Sequence, residues 1–206
     1  MTVTGVRYRC NASGGNVSRM VYDRPAAPGP LARVEEFCNS VRFLHGQDAW
    51  ADLPSAREWL AAHAGPAAAE EVDADGLAGL VRLREAIRDH LDGSTGDRVH
   101  DTLNAHAESS LRPPRWSPDG TPLIPPAGGS PLGEFVGGLL ATLATEEVAG
   151  RRDRLKVCAS PDCRWVFYDR SPGNQGVWCS MRSCGARHKM RAMRERRSGE
   201  GAGGRT

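Results

Sequence analysis

Cys158, Cys163, Cys179 and Cys184 form two C-x4-C pairs separated by fifteen residues. Two close pairs brought together by a short excursion supply four thiolates to one Zn²⁺, which prefers a tetrahedron of sulfurs about 2.3 Å away. A site with sulfur at every corner leaves no open position for water or substrate, so it builds a fold and does no chemistry. Disulfides are the competing reading, but they belong mostly to secreted proteins. The first thirty residues are polar and lack the apolar core of a signal peptide, so a cytoplasmic location is expected. Buried free thiols would not explain the equal spacing. His188, four residues after Cys184, is a substitute ligand that four thiolates make unnecessary, and Cys10 and Cys38 stand alone.

The stretch that follows, Arg187–Arg197, is dense in positive charge. The formal net charge of +2 hides a division: residues 151–206 hold fourteen Lys or Arg against five Asp or Glu, whereas residues 1–150 hold thirteen against twenty. A basic end on an acidic body is the footprint of nucleic-acid binding. A solvated tail, or a contact with the acidic half, would show the same imbalance. At about 100° per residue, Arg187, Arg191 and Arg194 share one helix sector, while Ala186, Met190 and Met193 share the next and are expected to pack on the metal site. Arg182, Arg187, Lys189, Arg191 and Arg194 are therefore the candidate contacts to double-stranded DNA, unless the arginines form a solvated face.

The 206 residues suit one ordinary domain with a small appendage. No apolar run approaches the roughly eighteen residues of a membrane span. Residues 1–29, rich in Gly, Asn, Ser and Pro, read as poorly ordered. Leu31, Val34, Phe37, Cys38, Val41 and Leu44 follow helical spacing up to Gly46. Ser55 and Glu58 form a capping-box pattern before Trp59-Leu60, with a stop at Gly65-Pro66. Leu77 to Leu91 marks the clearest helix, and another spans about Asp97 to Ser110. Leu111–Trp116 and Thr121–Ile124 flank an Asp119-Gly120 turn and predict a short, irregular hairpin. Ser130 and Pro131 open a helix to about Val148, whose Gly137-Gly138 either weakens it or permits close packing.

Between the cysteine pairs, Arg164–Tyr168 reads as a strand and Val177-Trp178 as its returning partner across a Ser171–Asn174 turn. Cys184 then stands at the start of the basic helix. The fold class is mainly α: a helical domain over 30–150 with a short β-hairpin, a small zinc-bound β-hairpin and helix over 151–197, and a disordered tail over 198–206.

Leu155–Cys158, Asp162–Ser171, Trp178–Met181 and Cys184-Gly185-Ala186-Arg187 resemble the CGNR zinc finger over about forty residues. The upstream part is similar to the ABATE domain that accompanies this finger. Phe37-Cys38-Asn39-Ser40 stands where that family shows F-V-N-T, and Trp59-Leu60, Leu80–Glu85 and Leu103-Asn104 also fit. Ala186 replaces the asparagine of the family's C-G-N-R, which leaves the ligands untouched and removes one amide from the helix start. The resemblance implies a stress-induced transcription regulator whose finger binds DNA.

The expected function is thus a zinc-dependent, DNA-binding transcription regulator with one structural Zn²⁺. Its helical domain is expected to sense a small-molecule effector or make a homodimer, with Asn39 either lining a ligand pocket or satisfying a neighbouring backbone group. The alternative is a zinc-stabilised interaction module whose basic helix docks on an acidic partner. Catalysis is not expected: there is no H-E-x-x-H, phosphate-cradling glycine loop or nucleophile elbow. His45, His63, His90, His100 and His106 lack metal-ligand pairing.

Overall fold

A computed structural model describes residues 24–94 and 96–202. Most of the segment read as poorly ordered (residues 1–23), together with Cys10, and the last four residues of the expected tail lie outside the described residues. The helical body begins with α1 (Leu31–Cys38), which buries Leu31, Val34, Phe37 and Cys38 on one face. The expected helix to Gly46 stops at Cys38 instead. Ser40 Oγ donates to the Phe37 carbonyl and the chain turns into β1 (Val41–Arg42), a 3₁₀ turn and β2 (Gln47–Asp48). Gly46 sits in the left-handed region at φ +58°, which suits the turn that brings β2 back on β1.

Helix α2 (Leu53–His63) is capped by Asp52, whose carboxylate accepts from the Ser55 amide, so Ser55 is the third helical residue rather than the cap. Helix α2 stops before Gly65-Pro66, as the sequence predicts, but Pro66 has a second role. It opens α3 (Pro66–Glu71), because the missing N–H of proline costs nothing in a first turn. Helix α4 (Ala74–Leu91) follows an Asp73 cap, and α5 (Asp97–Ser110) packs against it. The irregular hairpin is present as β3 (Arg115–Trp116) and β4 (Pro122–Leu123), and α6 (Pro131–Val148) starts from a Ser130 cap. Gly137 has the close-packing role: a Cβ there would lie 2.3 Å from the Ser110 carbonyl oxygen, whereas one on Gly138 would meet open space.

The core centres on Phe37, Trp50, Trp59 and Phe135. Phe37 meets Trp50 edge-on at 5.0 Å between ring centroids, and Trp50 meets Trp59 likewise at 5.1 Å. Leu155, Val157 and Val166, from beyond residue 150, belong to this same core. Each such buried aliphatic contributes about 1.5–3 kcal/mol.

Those three residues lie on β5 (Leu155–Val157) and β6 (Val166–Tyr168), an antiparallel pair with Lys156 opposite Phe167. The sequence reading paired the 166–168 strand with Val177-Trp178. The upstream strand takes that place because its alternate residues Leu155 and Val157 complete the helical core, and 177–178 is held by a single Ala159 N–H to Val177 carbonyl bond of 2.9 Å. A wide π-helical turn, Met181–Gly185, leads into α7 (Ala186–Ala202), which runs past the boundary expected at Arg197. No helix among the described residues is long and apolar enough to cross a membrane.

Candidate metal centre and basic helix

Strand β5 delivers Cys158 directly into a tight turn. The Cys158 amide donates to the Trp165 carbonyl at 2.9 Å, and the Cys163 amide to that of Ser160 at 2.9 Å. Arg164, at φ +48°, takes the left-handed conformation that lets the chain double back into β6 straight after Cys163. Cys179 and Cys184 come from the other side. Ser180 caps the wide turn through the Ser183 amide, and the turn carries Cys184 back towards Cys179.

All four sulfurs lie within 4.8 Å of one another, and all four residues are buried. Cys163 Sγ is 3.6 Å from Cys179 Sγ, which is 3.6 Å from Cys184 Sγ. Ligands 2.3 Å from a central ion at tetrahedral angles stand about 3.8 Å apart, so the cluster fits one Zn²⁺. The electrostatics agree. Contact with the Cys163 and Cys179 thiols drives Cys158 far down, while contact with Cys158 drives Cys179 far up. Four thiols at this spacing cannot all ionise without a cation among them. Zinc at the centre would remove that conflict and join two chain segments without an open position. His188 is not part of the cluster; its ring rests 4.8 Å from that of Trp178.

The metal-bearing hairpin is latched to the helical body by side chains. Of the two readings of Asn39, the structure shows the one in which its amide satisfies backbone groups rather than lining a pocket. Nδ2 donates to the Val166 carbonyl at 2.8 Å and Oδ1 accepts from the Val166 amide at 2.9 Å, so the side chain acts as a strand partner for β6. Arg88, with no exposed surface, donates through Nη1 to the Arg164 carbonyl, through Nη2 to the Cys38 carbonyl and through Nε to Glu85 at 3.0 Å. Arg164 reaches back to Asp89. Arg84, also buried, holds Asp48 with two bonds of 2.7 and 2.8 Å and lies over the Trp50 ring. The signal for these latches was present but unread: Arg84 and Arg88 sit four apart on a helix face otherwise filled with Leu and Ile.

Asp169, at the end of β6, supports the next loop. It accepts from the Ser171 amide at 2.9 Å, the Gly176 amide at 2.6 Å and Lys156 Nζ at 2.9 Å. Burial alone would raise its carboxyl, but these donors hold it well below the usual carboxylate range.

The five candidate DNA contacts are all solvent-facing: Arg182 in the wide turn, and Arg187, Lys189, Arg191 and Arg194 on α7. Arg191 pairs with Asp162 at 3.3 Å, both exposed. Met190 and Met193, expected to pack on the metal site, are instead 52% and 41% exposed. From Arg187 to Arg197 every side chain but Ala192 is exposed, because α7 leaves the body at Gly185 and meets chiefly the turn that precedes it.

Two family models match the chain. One, for the CGNR zinc finger, covers residues 154–197. The other covers residues 31–150, more than half of the chain, and is the ABATE family, described as "Putative stress-induced transcription regulator". No curated protein matches the chain.

Proposed function

The chain belongs to the ABATE family and carries a CGNR zinc finger with one structural Zn²⁺, and from that premise we propose that it is a DNA-binding transcription regulator. The observation that carries the reading is a projecting cationic helix rooted in a buried cluster of four cysteine sulfurs that fits one Zn²⁺. Zinc holds the wide turn, the turn aims α7, and Arg187, Lys189, Arg191 and Arg194 neutralise phosphates, with Arg182 beside them. An exposed helix of this width enters a major groove, where a guanidinium reads guanine O6 and N7. Ala186 in place of the family's asparagine takes one amide from that surface and leaves the charge-based contacts. In this reading the helical body senses a small-molecule effector or pairs with a second copy, the chain acts by binding rather than catalysis, and it works in the cytoplasm.

Exposed Met190 and Met193 beside the arginines favour one second reading, in which α7 docks on an acidic protein partner. The test is salt-titrated binding of the zinc-loaded full chain to duplex DNA; the isolated finger is unsuitable because β5 and β6 share the body's core. Affinity should fall linearly in log–log form with salt, and replacing Arg187, Arg191 and Arg194 by Gln should flatten the slope by about 0.9 per lost phosphate contact. No duplex binding even at low salt would put the protein-docking reading first.

A further inference from the structure

We propose that duplex DNA is also held at a second cationic patch, formed by Arg24 and Arg170 on the rim of a groove beside the metal turn; this rests on the reading of α7 as a DNA-binding helix. The groove encloses about 570 Å³ and runs between the chain at Arg24-Pro25 and the loop after β6. Arg170 is fixed across its mouth, donating to the Pro25 carbonyl at 3.0 Å and to the Ala26 carbonyl, with its guanidinium 5.1 Å from the Tyr168 ring centroid. Arg24 lies over the Phe167 ring at 5.0 Å. Among the described residues Asp169 is the one acid lining the groove, and it is buried and turned to Lys156 and to the Ser171 and Gly176 amides. Among the described residues the rim therefore presents two cations, backed by the buried Glu35 carboxylate, which accepts from the Ala27 amide.

The groove is continuous with the root of α7. Trp178 and Met181 form its wall, Trp178 touches His188 in the first turn of α7, and Met181 begins the wide turn that carries Arg182. A polyanion following α7 meets this wall next. Val177 and Met181 are 51% and 57% exposed there, and apolar groups between cations suit a sugar–phosphate backbone, with deoxyribose on the apolar wall and phosphates on the arginines. Duplex DNA is the occupant because the patch extends an existing cationic stripe rather than forming an isolated pocket.

Salt-titrated binding of the zinc-loaded full chain to a labelled duplex tests this. Arg24→Gln and Arg170→Gln should each flatten the log–log slope by about 0.9, with zinc content unchanged. Arg170→Gln also frees two carbonyls, so Gln175→Glu, which adds charge on the exposed groove wall, is the control for structure. It should weaken binding at low salt and leave thermal unfolding unchanged. Wild-type slopes in all three variants, with a flattened slope for the α7 triple variant, would overturn this inference and leave the α7 reading standing. No duplex binding by the wild type would overturn both.

Discussion

The finger has two halves that the same metal joins and the rest of the molecule treats in opposite ways. Its first half, β5 and β6 leading to Cys158 and Cys163, puts Leu155, Val157 and Val166 into the helical core and is gripped by Asn39 and Arg88. Its second half, the wide turn and α7 with Cys179 and Cys184, leaves every side chain from Arg187 to Arg197 but Ala192 to solvent. The difference teaches where each job is done. Stability resides in the half that shares the core, recognition in the half that does not, and the ion transmits the position of one to the other. A helix so short of tertiary contacts owes its direction to its first turn, and that turn is held by sulfur.

The sharpest way to break this comparison is to remove the joint. Cys163→Ser should abolish stoichiometric zinc and, because structural zinc contributes on the order of 10 kcal/mol in finger peptides, lower the unfolding midpoint of the helical body as well; calorimetry with metal analysis reads both. Next in size is the latch. Arg88→Leu leaves the Arg164 and Cys38 carbonyls without this donor and Glu85 with Arg84 alone, and should cost about 3–5 kcal/mol in urea unfolding, with zinc retained. Asn39→Ala, which removes two bonds to β6 and leaves the backbone of Val166 unpaired, should cost about 1–3 kcal/mol.

Acid sharpens the comparison from the buried side. The Asp169 carboxyl is held below its ordinary value, so its contribution is present above about pH 4, the unfolded value, and is lost as the pH falls through the lowered folded value. Asp169→Asn should therefore remove part of the acid-dependent loss of stability between about pH 4 and about pH 2 in a denaturation series. The smallest expected effect on stability comes from the exposed half. Replacing Arg187, Arg191 and Arg194 by Gln should leave the unfolding midpoint where it was, since exposed substitutions and exposed ion pairs contribute little, while duplex binding flattens with salt. A large drop in midpoint would contradict the division.

Much of this was legible in residue order. The paired cysteines announced the metal, and long apolar periods marked α4, α5 and α6, the last with its Ser130 cap and Pro131 start. What stayed hidden was decided by distant partners. Val41 and Leu44 continue the period of α1, yet the chain breaks at Cys38 because Asn39 and Ser40 bond elsewhere. The local sequence pairs Val166–Tyr168 with Val177-Trp178, yet β5 takes it because Leu155 and Val157 are needed by a core contributed from residues 27–143. Gly137 and Gly138 look alike in sequence, and only the Ser110 carbonyl distinguishes them. The methionines of α7 carry a burial signal that no surface arrives to satisfy.

The central claim is that the zinc-bound hairpin and the helical body are one folding unit. Heating the zinc-loaded chain with a metallochromic chelator present, while following helix content by far-UV circular dichroism, tests it directly. The account predicts that metal release and helix loss trace one coincident transition. Zinc leaving in a separate, earlier step while the helices stay folded would contradict it.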